Sequence, residues 1–251
     1  MNYLLILLFA GLIGLFAGFL SGMLGIGGGS IRIPLLNLLG IPLINAFAIN
    51  LFTIPISSLL GAKSHIENLE AKTTLLMVTG GCFGTIAGTL IAFRLAVSSL
   101  VLAIIFFLAS ILTIVGLNLY KFAPKFSAKL KPTPSNIVFG AFYLNLITGM
   151  KGGSGGSLFP PFLRTLNYKM HKAIAVSLLT TFFTSLTGVI FYYFQEIAFA
   201  NEGIVVILGS LVGVKIGSMV SLKTKPRALE ISLSIIVFIL SSIPIIKAIL
   251  L

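Results

Sequence analysis

The chain has 251 residues, 57% of them hydrophobic and only 9% charged, with a formal net charge of +12 at pH 7. A soluble domain carries about a quarter charged residues, so this composition excludes a soluble enzyme or binding module and marks an integral membrane protein. Most of the cations occupy short stretches between apolar segments, where membrane topology explains them and a nucleic-acid partner is not needed; the single Cys82 allows no intrachain disulfide and, among glycines in an apolar helix, reads as a packing residue.

A helix needs about 20 apolar residues to cross a bilayer. Residues 3–24 are long enough alone, and Met1-Asn2-Tyr3 lacks the basic region of a cleaved signal, so this segment is expected to stay in the protein. The run Gly25-Ile26-Gly27-Gly28-Gly29-Ser30 then interrupts the pattern, and residues 31–40 make only about half a crossing. Full spans are predicted at 43–62, 73–93 and 97–120, followed by a hydrophilic linker with Lys121, Lys125, Lys129 and Lys131. Residues 135–150 form a short helix, 157–166 a shorter one, and 173–194, 203–222 and 228–250 are again full spans. Gly80, Gly84 and Gly88 share one helix face, as do Gly209, Gly213 and Gly217, a spacing that suits close helix packing in lipid.

The glycine run recurs. Residues 152–157, Gly-Gly-Ser-Gly-Gly-Ser, follow the first copy by 127 positions, and the register holds downstream, with Ala46 on Ala173, Leu51 on Leu178, Thr53 on Thr180 and Gly61 on Gly188. A duplicated unit whose matching apolar segments are both interrupted by glycine points to a transporter's binding site. Irregular backbone at membrane depth must be buried in protein or line a wet cavity, so each run is expected at the tip of a broken hairpin. The positive-inside rule places Lys63, Lys72, the 121–134 linker, Lys169, Lys172, Lys223, Lys225 and Arg227 in the cytoplasm, and Glu196, Glu202 and the 40–42 turn outside. That arrangement requires an odd number of crossings in each half. The expected fold is an all-α integral membrane protein of two inverted repeats, 1–120 and 135–251, each of about five segments with glycine-broken half-helices, joined by the basic cytoplasmic linker 121–134, with both termini outside.

The motif Gly25-Ile26-Gly27-Gly28-Gly29-Ser30-x-x-x-Pro34, with Ala46 and Asn50-Leu51 in the next helix and the loop Gly61-Ala62-Lys63-Ser64-His65-Ile66-Glu67-Asn68-Leu69-Glu70-Ala71-Lys72, resembles the TauE/SafE family of sulfite exporters. The second half carries a degenerate echo. The resemblance covers nearly the whole chain and implies transport of sulfur-containing anions such as sulfite, thiosulfate, sulfoacetate or other organosulfonates. The copies differ at two positions, Ser154 for Gly27 and Lys151 for Leu24, so the two half-sites are not chemically equivalent.

The chemistry of the candidate site follows from charge. Arg32, Lys151 and Lys215 stand at or near membrane depth, where each costs about 2.5–3.5 kcal/mol on insertion scales. The five acidic residues, Glu67, Glu70, Glu196, Glu202 and Glu230, all read as loop or helix-end positions. An unpaired cation beside a glycine turn, with backbone N–H groups and helix N-termini, is what an anion site requires. The candidate substrate-binding residues are Gly27, Gly28, Gly29, Ser30, Arg32, Asn50, Lys151, Ser154, Gly155, Gly156, Ser157 and Ser177, with Lys215 as a further candidate. Ser30 and Ser157 are expected to cap the half-helices, Pro34 and Pro161 mark the breaks, and Asn50 and Ser177 either bind the ligand or link helices. His65 and His171 are read as solvated loop residues. The function expected is secondary transport of a small anion by a multi-pass cell-membrane protein, with a proton or cation as coupling ion, lipid as surroundings and no cofactor. A passive anion channel is the alternative; an intramembrane serine protease built on Gly152-Gly153-Ser154-Gly155 is remote, because no histidine in a matching context faces the serine.

Overall fold

The computed structural model describes residues 3–94, 131–150, 155–194 and 201–225, with scattered helical positions between 101 and 111 and between 227 and 239. The elements, in chain order, are α1 (Tyr3–Leu24), α2 (Gly29–Leu38), α3 (Leu43–Ser64), α4 (Ala71–Arg94), α5 (Pro134–Met150), α6 (Phe159–Thr165), α7 (Met170–Phe194) and α8 (Glu202–Lys223), with 3-10 turns at Ile66–Asn68 and Gly155–Ser157. No strand occurs among the described residues. Helices α1, α3, α4, α7 and α8 contain stretches long and apolar enough to cross a membrane. The spans expected at 97–120 and 228–250 lie largely outside the described residues, as does most of the 121–134 linker. Local chemistry sets the boundaries. Gly40, at φ 91°, follows the end of α2, Pro42 caps α3, and Pro134 opens α5, where its missing N–H costs nothing.

Glycines set the packing. Gly14, Gly18 and Gly22 of α1 rest on the backbone of Val206, Ser210 and Val214, while Gly209, Gly213 and Gly217 of α8 rest on Gly11, Leu15 and Phe19. Across the molecule, Gly80, Gly84 and Gly88 of α4 rest on Val138, Phe142 and Leu146 of α5. A methyl group on any of these glycines would collide with a backbone carbonyl of the partner helix. Lipid supplies no hydrophobic drive between helices, so this close backbone contact carries the association.

The same contacts give helix direction. Positions ascend together along α1 and α8 and along α4 and α5, so each pair is parallel. Gly81 meets Thr184 and Gly188 approaches Thr85, which makes α4 and α7 parallel as well. Gly61 meets Leu178 whereas Gly188 meets Leu51, so α3 and α7 are antiparallel. Helix α3 rises with α8: Arg32 joins Asn50 to Ser210, Gly61 meets Val214, and His65 and Ser218 share the Gly22 carbonyl. Thus α1, α3 and α8 run one way and α4, α5 and α7 the other. Each long helix opposes the helix 127 residues from it. The start of α4, the start of α5, the start of α7 and the ends of α3 and α8 consequently share one end of the bundle. Lys63, Lys72, Lys131, Lys169, Lys172 and Lys223 gather there. Lys172 reaches Glu70 at 3.8 Å, and the Thr73 and Tyr168 hydroxyls are 2.8 Å apart.

Two apolar clusters flank the crossing of α3 and α7. One holds Ala10, Leu36, Ala46 and Ile49; the other holds their counterparts Ile137, Leu163, Ala173 and Val176. The crossing itself is lined by buried hydroxyls, among them Thr53, Ser57, Ser58, Ser177, Thr180, Thr181, Thr184 and Ser185. Cys82, on α4, is a free, half-buried thiol.

Candidate functional site

The first glycine turn reverses the chain between α1 and α2. Gly25, Gly27 and Gly28 all have left-handed backbone, with φ of 74°, 69° and 77°. Gly28 is the N-cap of α2, without a side-chain cap, and its carbonyl accepts from the N–H groups of Ile31 and Arg32 at 3.1 and 2.8 Å. The N–H groups of Gly29 and Ser30 stand at the start of the helix, where no intrahelical carbonyl meets them. Together with the dipole of α2, they make a positive, donor-rich helix start.

Arg32 completes that surface. Its side chain is fully buried. Nη1 donates to Asn50 Oδ1 on α3 at 2.7 Å, and Nη2 donates to Ser210 Oγ on α8 at 3.1 Å. The Ser210 hydroxyl in turn donates to the Gly14 carbonyl at 3.0 Å. Arg32 Nε has no hydrogen-bond partner, and no carboxylate pairs with the guanidinium among the described residues. The glycines make room for this arrangement. A methyl on Gly28 would lie 2.8 Å from Arg32 Nη2, and one on Gly29 2.8 Å from Asn50 Nδ2.

The second turn, Gly155–Ser157, packs directly on the first. A methyl on Gly156 would lie 2.7 Å from the Ile26 carbonyl oxygen and 2.9 Å from Thr181 Oγ1. The Ser177 hydroxyl donates to the Gly25 carbonyl at 2.6 Å and lies 3.3 Å from the Gly156 carbonyl. Ser157 is buried within this turn. Phe159, the position that matches Arg32, is fully buried in an apolar cluster with Met77, Ile137 and Leu163.

The structure therefore brings together Gly27, Gly28, Gly29, Arg32 and Asn50 in one turn, and Gly155, Gly156, Ser157 and Ser177 in the other. Lys151, Ser154 and the side chain of Ser30 lie outside the described residues. Lys215 is not part of the assembly; it lies on the exposed face of α8 between Val212 and Met219. Two expectations change, and one open choice finds its linking contacts. The caps of the half-helices are Gly28 and Leu158 rather than Ser30 and Ser157: left-handed backbone at Gly28 starts α2 two residues earlier than a Ser30 cap would, and α6 starts one residue later than a Ser157 cap would. Asn50 and Ser177 link elements, one through Arg32 and the other through two turn carbonyls. His65 is fully buried rather than solvated: the end of α3 folds against α1, bringing Nε2 to 3.3 Å from the Gly22 carbonyl. Burial pushes the His65 imidazole below the ordinary histidine range; the Gly22 carbonyl opposes this and neighbouring His171 adds to it. Ser210 and Thr181 belong to the site and were not singled out by sequence, since a hydroxyl in an apolar helix carries no sign of which face it occupies.

The comparisons give the chain a family. The chain matches the family described as Sulfite exporter TauE/SafE over residues 10–243. A protein of Methanocaldococcus jannaschii named as a probable membrane transporter protein is 26% identical over 251 residues, covering 93% of each chain. No solved structure matches. With five apolar helices and a match across almost its whole length, the chain is a multi-pass membrane protein and belongs to the Sulfite exporter TauE/SafE family of membrane transporters.

Proposed function

We propose that the chain is a secondary transporter of small anions, sulfur oxyanions or organosulfonates of the sulfite, thiosulfate and sulfoacetate type, which it moves by alternating access. In this reading 1–120 and 135–251 are inverted repeats, and the two glycine turns meet at a midplane site between them. The opposed directions of α1 and α5, α3 and α7, and α4 and α8 support the inversion. The gathering of lysines at one end supports placing that end in the cytoplasm.

The observation that carries the reading is Arg32: a guanidinium fully buried, facing a glycine turn, with neutral partners only and one N–H unmet. Burying an unpaired charge is expensive. A bound anion would offset that cost, and the planar fork suits a sulfonate or sulfite head. The N–H groups of the first turn of α2 supply further donors.

Thermal unfolding of the purified chain against sulfite, thiosulfate, sulfate, sulfoacetate and taurine tests this. At least one anion raises the midpoint by mass action, and Arg32→Leu loses the response. If no anion acts, or if Arg32→Leu responds as the parent does, the reading is wrong.

A further inference from the structure

We propose that the meeting point of the two glycine turns is a second site, for a dehydrated monovalent cation of the sodium class, held by the carbonyls of Gly25, Ile26 and Gly156 and the hydroxyls of Ser177 and Thr181. As a coupling-ion site its role rests on the transport reading above; the binding itself does not.

Five oxygens border this junction. Ser177 Oγ lies 2.6 Å from the Gly25 carbonyl and 3.3 Å from that of Gly156. The Ile26 carbonyl and Thr181 Oγ1 both face Gly156, at 2.7 and 2.9 Å from where its side chain would begin. Ser177 and Thr181 are one turn apart on α7, so their hydroxyls share a face. Thr181 Oγ1 is fully buried and has no hydrogen-bond partner, and neither has Thr180 Oγ1 beside it. A buried hydroxyl left unmet is costly, and a ligand oxygen is the role in which that hydroxyl is satisfied without a protein partner.

The sign of the site follows from its atoms. Gly25 lies just past the last turn of α1, its N–H still donating to the Ser21 carbonyl at 2.8 Å, so its carbonyl is at the negative end of a 22-residue helix. Three carbonyl oxygens repel an anion. The donors of Arg32, Gly29 and Ser30 lie on the other limb of the same turn. The donor set also selects valence. Divalent calcium uses several carboxylates, and the described acids, Glu67, Glu70 and Glu202, lie in loops or at helix ends. A neutral cage of carbonyls and hydroxyls suits a single positive charge, as in transporters whose broken helices present unwound carbonyls to sodium. Because Ile26 sits two residues from Gly28, a cation bound at one limb draws the anion to the other, which is the requirement for coupling.

The test uses the full chain purified in detergent, without sulfur anion, unfolded thermally in the chlorides of lithium, sodium, potassium and N-methylglucamine. Chloride is common to all four, so a difference reports the cation. At least one alkali cation raises the midpoint saturably over N-methylglucamine. Thr181→Val raises the half-saturating concentration by roughly tenfold or more, while Thr181→Ser keeps the response. The proposal is overturned if no alkali cation differs from N-methylglucamine, or if a folded Thr181→Val responds as the parent does. Should Thr181→Val not fold, the parent's comparison of the four chlorides decides. Loss of the cation response with the sulfur-anion response intact removes this site and leaves the anion reading; the converse removes the anion reading and leaves this site.

Discussion

The two glycine turns share a similar sequence 127 positions apart, yet they have different chemistry. At the first, Arg32 is buried among Asn50, Ser210 and a glycine backbone. At the second, the matching residue is Phe159, buried among Met77, Ile137 and Leu163. The helices around them remain reciprocal: α1 packs on α8 as α4 packs on α5. Similar scaffolds thus carry different residues: a buried guanidinium at one turn and a buried apolar ring at the other. On the proposed reading, alternating access needs similar halves to exchange conformations, while an anionic ligand needs a single charge environment. Placing the charge on one side meets both needs.

The largest effect is expected at the apolar half. Phe159→Ala removes a fully buried ring and costs about 3–5 kcal/mol, read as a lowered thermal midpoint in detergent. The folded fraction should keep its anion affinity. Lost affinity at unchanged stability would mean that Phe159 touches the ligand and that the contrast between the turns is wrong.

Next comes the link between them. Ser177→Ala removes the hydroxyl that joins the Gly25 and Gly156 carbonyls and costs about 1 kcal/mol. Denaturant midpoints would show the loss. A stability equal to the parent's would indicate that the turns are held together by packing alone.

The smallest effect concerns pH. The folded-state pKa of His65 is lowered from 6.5, so its neutral form contributes stability that is full above about pH 6.5 and is lost as pH falls from there through the folded value. Groups near it on the elements around it are Lys63 and Glu67 along the chain and His171 on α7; of these, His171 is the one that shifts it. His65→Gln should flatten the profile of thermal midpoint against pH over that window. An unchanged profile would assign the dependence to another group.

Hydropathy made the long helices legible, and the predicted spans fall within a few residues of α1, α3, α4, α7 and α8. Reading charge along the chain anticipated that Lys63, Lys72, Lys169, Lys172 and Lys223 share one end. The stripes at Gly80 and Gly209 were visible because small residues at four-residue spacing have one physical use in lipid. Long-range geometry was not visible. Nothing local shows that Ser210, inside such a stripe, meets Arg32 from 178 positions away. The burial of His65 depends on the Gly22 carbonyl of another helix, 43 positions away. Ser30 lost its capping place because Gly28 takes a left-handed conformation, an option that competes with a side-chain cap and that composition alone does not decide, and Ser157 lost it because it lies inside the 3-10 turn that precedes α6.

The central claim is that Arg32 carries the substrate's charge. Uptake of radiolabelled sulfite or thiosulfate into proteoliposomes, comparing the parent with Arg32→Leu and Arg32→Lys, tests it most directly. Removing a charge-assisted contact worth about 1.5–3 kcal/mol raises half-saturation by about ten- to a hundredfold. Lysine, a point charge without the planar fork, restores only part of it. Because the guanidinium is buried without a carboxylate, Arg32→Leu should remain folded in detergent. A folded Arg32→Leu protein that transports at the parent's rate with the same half-saturation would show that the arginine only ties α2 to α3 and α8, and the anion site would have to lie elsewhere.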